Sequence, residues 1–230
     1  MISFDDGFLG SFENGLSILE KLNLPSILFL NMGSISKKTP LISAVACYLE
    51  QSNPSFLDYA KQIGLRQPFH LTLSPSILSK FQDEYGCIDF KSVTQYQGRF
   101  ADLDIVKKWD LKPLVCYGNH LYEHWNAIPL SEDEFEDQYE KNELALKKLK
   151  SWVRLFAFTN GQPHTCFTGD NVTFLKETGT AKAFSNFKGV NRNYKTDFLL
   201  GRVSFGPNDD SSSRLWFRIA RAVTQFSGDL

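Results

Sequence analysis

The 230-residue sequence lacks the features that mark several specialised classes of protein. No apolar run approaches the roughly 18–20 residues that cross a bilayer. The net charge is only −1 and the pI is about 6.4, and the small basic cluster of Lys147, Lys148 and Lys150 is typical of the solvated face of a charged helix. Nucleic-acid and anionic-membrane partners need a larger basic patch. We therefore expect no nucleic-acid partner and no membrane span.

Cysteine is also scarce. The four cysteines are Cys47, Cys87, Cys116 and Cys166, and no two of them form a C-x-x-C pair. This spacing excludes a zinc knuckle and a dense disulfide framework, and it predicts buried free thiols. No signal peptide is visible, so the sequence as written predicts a cytoplasmic protein. Because Met1 lies so close to the first carboxylates, a truncated N-terminus is the alternative.

Apolar residues are plentiful: 42% of the chain is hydrophobic and phenylalanine occurs 20 times. This composition and length suit one globular domain over residues 1–230. The chain opens with a short β-prone stretch at 2–4, helical spacing of apolar residues over 12–22, and a continuous apolar run at 26–30. A strand–helix–strand opening of this kind predicts a parallel sheet with helices outside it.

The later pattern continues this alternation after a looser region. Residues 34–104 predict a largely helical insertion without a core of its own. A capping box at Ser131 and Glu134 opens a helix predicted over about 132–152. Further strands are predicted at 113–117, 154–158, 183–185, 198–200 and 202–205. The fold class is therefore α/β, an irregular (β/α) barrel with a largely helical insertion.

Polar side chains follow three of the predicted strands, where barrel chemistry gathers. They are the pair Asp5 and Asp6, the pair His120 and His124, and Asn160. Two histidines four apart on a helical turn share one face and can reach one metal ion. One aspartate would complete a two-histidine, one-carboxylate site, and the second aspartate could then serve as a base.

Each motif has an ordinary explanation when it stands alone. Asp-Asp-Gly is common turn chemistry, and a His-x-x-x-His spacing without a flanking Glu is a weak signal. Their joint occurrence at the ends of separate predicted strands favours the metal site.

These motifs resemble those of the polysaccharide deacetylase family. S-F-D-D-G at 3–7 is similar to the first family motif, and G-N-H-L-Y-E-H at 118–124 is similar to the second, G-x-H-[ST]-x-x-H. F-A-F-T-N-G at 156–161 resembles the F-A-Y-P-x-G form of the third motif. The L-S-E-D-E-F segment at 130–135 and a late segment at 184–205 also fit that branch. The resemblance covers nearly the whole chain outside the insertion.

The resemblance implies a metal-dependent hydrolase that removes the acetyl group from an N-acetylated carbohydrate. Asp6, His120 and His124 would hold a divalent metal, most often Zn²⁺, and Asp5 would be the general base. A backbone N–H near Phe158 would help to hold the oxyanion.

Three departures from the family pattern matter. Leu121 replaces the usual Ser or Thr of the second motif. Ala157 stands where many members carry an arginine that orients the base, and Arg202 is the candidate substitute, the alternative being a surface arginine in an edge strand. The closing Leu-x-His motif is missing. His164 is the candidate general acid, although an exposed loop histidine is the competing interpretation.

Aromatic residues near the motifs could stack on a sugar ring. Trp125, beside His124, is the favoured substrate-facing residue, and Phe158 is the second candidate. Core packing is the more common role for each of them alone.

Two further functions remain open on the sequence. One is a catalytically impaired relative that binds carbohydrate or serves in assembly. The other is a hydrolase of cyclic amides on a similar barrel. The sugar substrate, the metal and the oligomeric state are not determined by the sequence.

Overall fold

The strands of the computed structural model form one parallel sheet of six, whose spatial order follows the chain. The structure describes residues 1–187, 191, 193–206, 209 and 211–224, with side chains of the last helix described to residue 220. Residues 188–190 and 192 of the late family-like segment lie outside this description. The strands are β1 (Ile2–Asp6), β2 (Ser26–Leu30), β3 (Val115–Asn119), β4 (Trp152–Ala157), β5 (Lys182–Ser185) and β6 (Leu199–Gly201).

Helices connect the strands. The first is π-helical over Ser11–Leu16 and continues as α1 (Ser17–Lys21). The others are α2 (Met32–Lys37), α3 (Ile42–Ser52), α4 (Pro54–Gln62), α5 (Phe69–Thr72), α6 (Pro75–Tyr85), α7 (Phe90–Val93) with a 3₁₀ turn at Thr94–Tyr96, α8 (Leu103–Trp109), α9 (Glu132–Leu146), α10 (Gly169–Glu177) and α11 (Ser212–Thr224). Among the described residues, no helix combines the length and apolarity needed to cross a membrane.

The sheet curls until its two edges meet at the carboxyl ends of the strands. Arg202, directly after β6, donates hydrogen bonds to Asp5 and Ser3 of β1. β1 and β6 are the first and last strands of the sheet, so this contact requires strong curvature. The predicted fold class, an irregular β/α barrel, is confirmed.

Strand β2 lies at the centre of this core, and all five of its residues are buried. Successive side chains point to opposite faces of a strand. Ile27 and Phe29 accordingly pack inside the barrel with Ala157, Phe184 and Leu200. The residues between them face the surrounding helices.

The predicted insertion is largely helical, as expected, and it extends from α2 to α8 between β2 and β3. The expectation that it has no core of its own is wrong. The apolar faces of α3, α4 and α6 pack together around Phe56 and Phe81, both almost fully buried. Trp125 is the buried residue of this cluster that lies outside the insertion. The insertion is thereby joined to the loop that follows β3.

Two predicted boundaries need correction. The helix predicted to reach residue 152 ends at Leu146, because the chain turns before β4. The Asp110 carboxylate accepts hydrogen bonds from the amides of Lys150 and Ser151 and fixes this turn. The strand predicted at 202–205 is irregular chain after β6. Arg202 is therefore a loop residue.

Candidate metal centre

A tight turn at the end of β1 carries the two aspartates. The Gly7 N–H donates to the Asp5 carbonyl at 2.9 Å, and Asp6 has a φ of 70°. Gly7 has a φ of 86°, and a Cβ on it would lie 2.6 Å from Ile35 Cδ1. Glycine is therefore required by both conformation and space. The segment is a turn, as its composition predicts, and its two carboxylates engage different partners.

The loop after β3 carries the two histidines, but not on a helical turn. His120 to His124 is irregular chain, and Leu121 has a φ of 62°. The helical spacing assumed from the sequence is therefore wrong, although the imidazole rings still meet, with centroids 5.1 Å apart. A leucine tolerates the left-handed region poorly, so surrounding contacts must hold this loop.

Buried amide side chains supply those contacts. Asn31, fully buried after β2, donates to the carbonyls of His120 and Leu121. Asn119 accepts from the Leu121 N–H at 2.9 Å. Asn142 of α9 donates to Asn119 and to the Leu30 carbonyl, both at 2.7 Å. These contacts hold the loop in place although Leu121 has no side-chain hydroxyl.

This amide network was not predicted from the sequence. Its one local signal is the position of Asn142, which lies on the apolar face of α9 with Phe135, Tyr139 and Leu146. A polar residue on a buried helix face needs partners, because an unsatisfied buried amide is costly.

Asp6 and the two histidines converge on one point. Asp6 Oδ1 lies 3.2 Å from His124 Nε2 and 3.5 Å from His120 Nε2. The buried Asp6 Oδ1 has no hydrogen-bond partner of acceptable geometry. His120 Nδ1 lies 2.7 Å from the Ala157 carbonyl, which can only accept, so Nδ1 carries a proton and Nε2 is the ring nitrogen that faces Asp6.

This arrangement fits a bound metal ion. One ligand atom from each of the three residues lies within 4.8 Å of the others. The orphaned Asp6 oxygen and the carbonyl-oriented His120 ring are what a metal-ligand set requires. Two nitrogen donors and one oxygen donor would suit a zinc-like ion and would leave part of its coordination shell to other ligands.

The charges within the site are coupled. Burial raises the pKa of Asp6, but the nearby His124, His120 and Arg202 outweigh it, and the net pKa is below the usual value. Burial lowers the pKa of His124 more than Asp6 raises it. For His120, Asp5 and Asp6 outweigh burial and raise the pKa. These directions favour the carboxylate of Asp6 and the neutral ring of His124.

Asp5 lies beside the three potential ligands and is held by Arg202. The guanidinium NH1 and NH2 donate to the two carboxylate oxygens at 2.7 and 2.8 Å. The side chain of Arg202 is only 12% exposed and lies over the Phe29 ring. It is therefore not a surface arginine. Asp5 Oδ2 is 4.0 Å from His120 Nε2.

The other three predicted site residues lie differently. His164 is exposed, and no hydrogen bond or ion pair of its ring is found within the described part of the chain. Phe158 is 1% exposed, its ring stacks on Phe167, and its N–H donates to the Phe184 carbonyl. Neither its ring nor its amide is free for a ligand. Trp125 is 7% exposed, and Nε1 donates to Glu123 at 3.3 Å.

No family model and no curated protein matches this sequence. Solved structures do match. IcaB from Ammonifex degensii superposes with a TM-score of 0.57 at 16% identity, covering 95% of this chain and 72% of that chain. The Streptococcus pyogenes deacetylase PplD in complex with acetate gives 0.57 at 12% identity, covering 94% and 68%.

A third solved structure matches with a similar TM-score, identity and coverage. A de-N-acetylase from Aggregatibacter actinomycetemcomitans gives a TM-score of 0.55 at 16% identity, covering 94% of this chain and 73% of that chain. At such identities the likeness establishes architecture. The chain therefore has the fold of these deacetylases, with Asp5, Asp6, His120, His124 and Arg202 gathered where its first and last strands meet.

Proposed function

We propose that the protein is a metal-dependent hydrolase that cleaves the acetamide of an N-acetylated sugar to a free amine and acetate. The observation that carries this proposal is the convergence of Asp6, His120 and His124, with a separate carboxylate, Asp5, beside them. Three ligands and a neighbouring base are the parts that metal-assisted amide hydrolysis needs.

Asp6 Oδ1 and the Nε2 atoms of His120 and His124 would hold a divalent ion, with zinc the best fit to this donor set. When bound, the ion supplies a Lewis acid that activates water and polarises the amide carbonyl. The Ala157 carbonyl keeps the His120 ring in the ligating orientation. Asn31 keeps the loop backbone in place.

Asp5 would accept the proton of the attacking water. Its carboxylate lies 4.0 Å from His120 Nε2, next to the ligand set and outside it. Arg202 fixes the carboxylate plane through two parallel hydrogen bonds, and each carboxylate oxygen keeps a second lone pair that would be available to accept the proton. Arg202 would thereby perform the role expected of the arginine missing at position 157.

The substrate class rests on the architecture shared with the acetate-bound deacetylase PplD and with the de-N-acetylase. An N-acetyl amino sugar presents a neutral acetamide, and a site with one metal and one base matches its hydrolysis. His164 is exposed, and among the described residues no hydrogen bond of its ring positions it to protonate the leaving amine. We assign no general acid.

Acetate release from N-acetylglucosamine oligomers tests the proposal. Zinc-loaded protein should release acetate, and a chelator should abolish the release. Asp5→Asn should lower kcat by about 10²–10⁴-fold while zinc still binds in a calorimetric titration. The His120→Ala/His124→Ala double variant should lose both zinc binding and activity. Asp104→Asn, which removes an exposed carboxylate on α8, should behave as wild type.

The alternatives give different results. Zinc binding without acetate release from any N-acetylated sugar would favour the non-catalytic carbohydrate-binding protein. Ring opening of a cyclic amide without acetate release would favour a hydrolase of cyclic amides. A folded protein that binds no zinc would overturn the metal-dependent mechanism.

A further inference from the structure

The two proposed histidine ligands are held in different ways. His120 Nδ1 is oriented by the Ala157 carbonyl at the end of β4. His124 Nδ1 is buried and makes no hydrogen bond to another residue in the described part of the chain. Metal-ligating histidines are usually fixed by a hydrogen bond from the second ring nitrogen. The placement of His124 therefore depends on its backbone.

Hydrogen bonds fix this backbone on both sides of His124. Before it, the Glu123 N–H donates to Gln138 Oε1 of α9 at 2.8 Å. After it, the Thr159 hydroxyl donates to the Trp125 carbonyl, across 34 positions of sequence. The backbone of His124 is thus held between α9 and the loop that follows β4.

The support that carries the Thr159 hydroxyl is itself fixed. Thr159 is 1% exposed, and the two residues after it, Asn160 and Gly161, have left-handed φ values of 59° and 72°. Asn186, directly after β5, holds both of them. Its side-chain amide donates to the Asn160 carbonyl and its N–H donates to the Gly161 carbonyl, both at 2.7 Å. The hydroxyl therefore extends from a well-defined turn.

Both histidines are consequently fixed by the same short stretch of chain. The Ala157 carbonyl contacts the ring of His120, and two residues later the Thr159 hydroxyl contacts the backbone next to His124. Thr159 stands where the F-A-Y-P-x-G form of the third motif has proline. Proline has no hydroxyl, so a chain with proline at this position could not make the bond to Trp125.

We infer that Thr159 is a positioning residue that fixes His124 for metal binding. The inference rests on the proposed function, because it takes His124 as a metal ligand. Thr159 acts through the Trp125 carbonyl and not through the ligand atoms. Its hydroxyl restricts the backbone that carries His124, so that Nε2 stays within reach of Asp6 Oδ1, 3.2 Å away.

Removal of the hydroxyl tests the inference with zinc alone. Thr159→Val keeps the volume of the side chain and deletes the donor, and contacts from Asn126 and Ala127 still join the two loops. Zinc affinity measured by calorimetry should fall about tenfold, as for loss of an outer partner of a metal ligand. Thr159→Ser restores the hydroxyl, and its zinc affinity should lie within about threefold of wild type.

Thr180→Val is the matched control. Thr180 is also buried, and its hydroxyl pairs with the Tyr139 hydroxyl at 2.8 Å. It lies just before β5, at the opposite edge of the sheet from the candidate metal centre. Urea unfolding should show that both valine variants are less stable than wild type, because each leaves a buried polar group unpaired. Only Thr159→Val should weaken zinc binding.

Three results would overturn the inference. They are wild-type zinc affinity in Thr159→Val, an equal loss of zinc affinity in Thr180→Val, and failure of Thr159→Ser to restore binding. The acetate assay separates these failures from failure of the proposed function. Acetate release by a protein whose zinc affinity does not depend on Thr159 keeps the function and removes the positioning role.

The converse result is equally clear. Zinc binding that depends on Thr159, in a protein that releases no acetate from N-acetylglucosamine oligomers, keeps the positioning role and removes the proposed reaction. A folded wild-type protein that binds no zinc would overturn both.

Discussion

Arg202 donates two parallel hydrogen bonds to Asp5, at 2.7 and 2.8 Å, across 197 positions of sequence. The pair joins β1 to the loop after β6, at the two edges of the sheet. A planar guanidinium fixes the plane of a carboxylate, which an ammonium group cannot do. The orientation of the proposed base therefore depends on the shape of the cation as well as on its charge.

Replacement of the guanidinium by an ammonium group should slow the reaction without removing the metal. We expect Arg202→Lys to lower kcat for acetate release by about 10–100-fold and to leave zinc affinity within about threefold of wild type. Kinetics and calorimetry measure the two effects. Arg154→Lys, an exposed substitution on β4, is the matched control. A wild-type kcat in Arg202→Lys would contradict the orienting role.

His164 provides a test of the missing general acid. Its ring is exposed and makes no contact with the candidate metal centre in the described structure, so we expect His164→Ala to change kcat less than about threefold, whereas a general acid contributes about 10²–10⁴-fold. Steady-state acetate release measures this. A loss of 100-fold would restore the sequence-based assignment and would require the loop to move during the reaction.

Asn31 should matter for metal binding. Asn31→Leu removes the donors to the His120 and Leu121 carbonyls, so we expect zinc affinity to fall by about 10–100-fold. Stability should fall by about 1–3 kcal/mol, because buried carbonyls lose partners. Urea unfolding measures the loss of stability, and calorimetry measures the loss of zinc affinity. Asn53→Ala removes the cap of α4, costs about 1 kcal/mol and should spare zinc affinity. Unchanged zinc affinity in Asn31→Leu would refute the positioning role.

Asp110 should contribute acid-sensitive stability. Burial alone would raise the pKa of Asp110. Hydrogen bonds from Ser151 and Lys150 lower the pKa by more than burial raises it, so the net pKa is below the usual value of 3.8. The folded state thus favours the carboxylate. The stabilisation that this carboxylate contributes is present above pH 3.8 and is lost as pH falls through the lower pKa of the folded state. Asp110→Asn should have a smaller free energy of unfolding than wild type at pH 6. The difference between the two free energies should be smaller at pH 3. Urea titrations at both pH values check this, with Asp104→Asn as control.

Local sequence signals predicted much of the fold. The apolar run at 26–30 is β2 with the predicted bounds. The capping box of Ser131 and Glu134 opens α9, and both of its hydrogen bonds are present. Asp5, Asp6, His120 and His124 are brought together because the carboxyl ends of parallel strands share one edge of the barrel.

The hydrogen bonds that hold the candidate metal centre in place could not be predicted from local sequence signals. Asn31 contacts a carbonyl 89 residues away, and Asn142 contacts one 112 residues away. Such pairings depend on how the elements pack, and no periodic pattern records them. The left-handed Leu121 depends on the same contacts. The core of the insertion was missed because short amphipathic stretches do not reveal which faces pack together.

Trp125 is buried in the insertion and follows His124 in the chain. Packing among α3, α4 and α6 therefore restrains the backbone next to the proposed ligand His124. Linkage is reciprocal: a ligand that orders these helices and raises metal affinity must itself bind more tightly, by the same factor, once the metal is present. Metal binding at the candidate site should therefore also raise the stability of the insertion against unfolding.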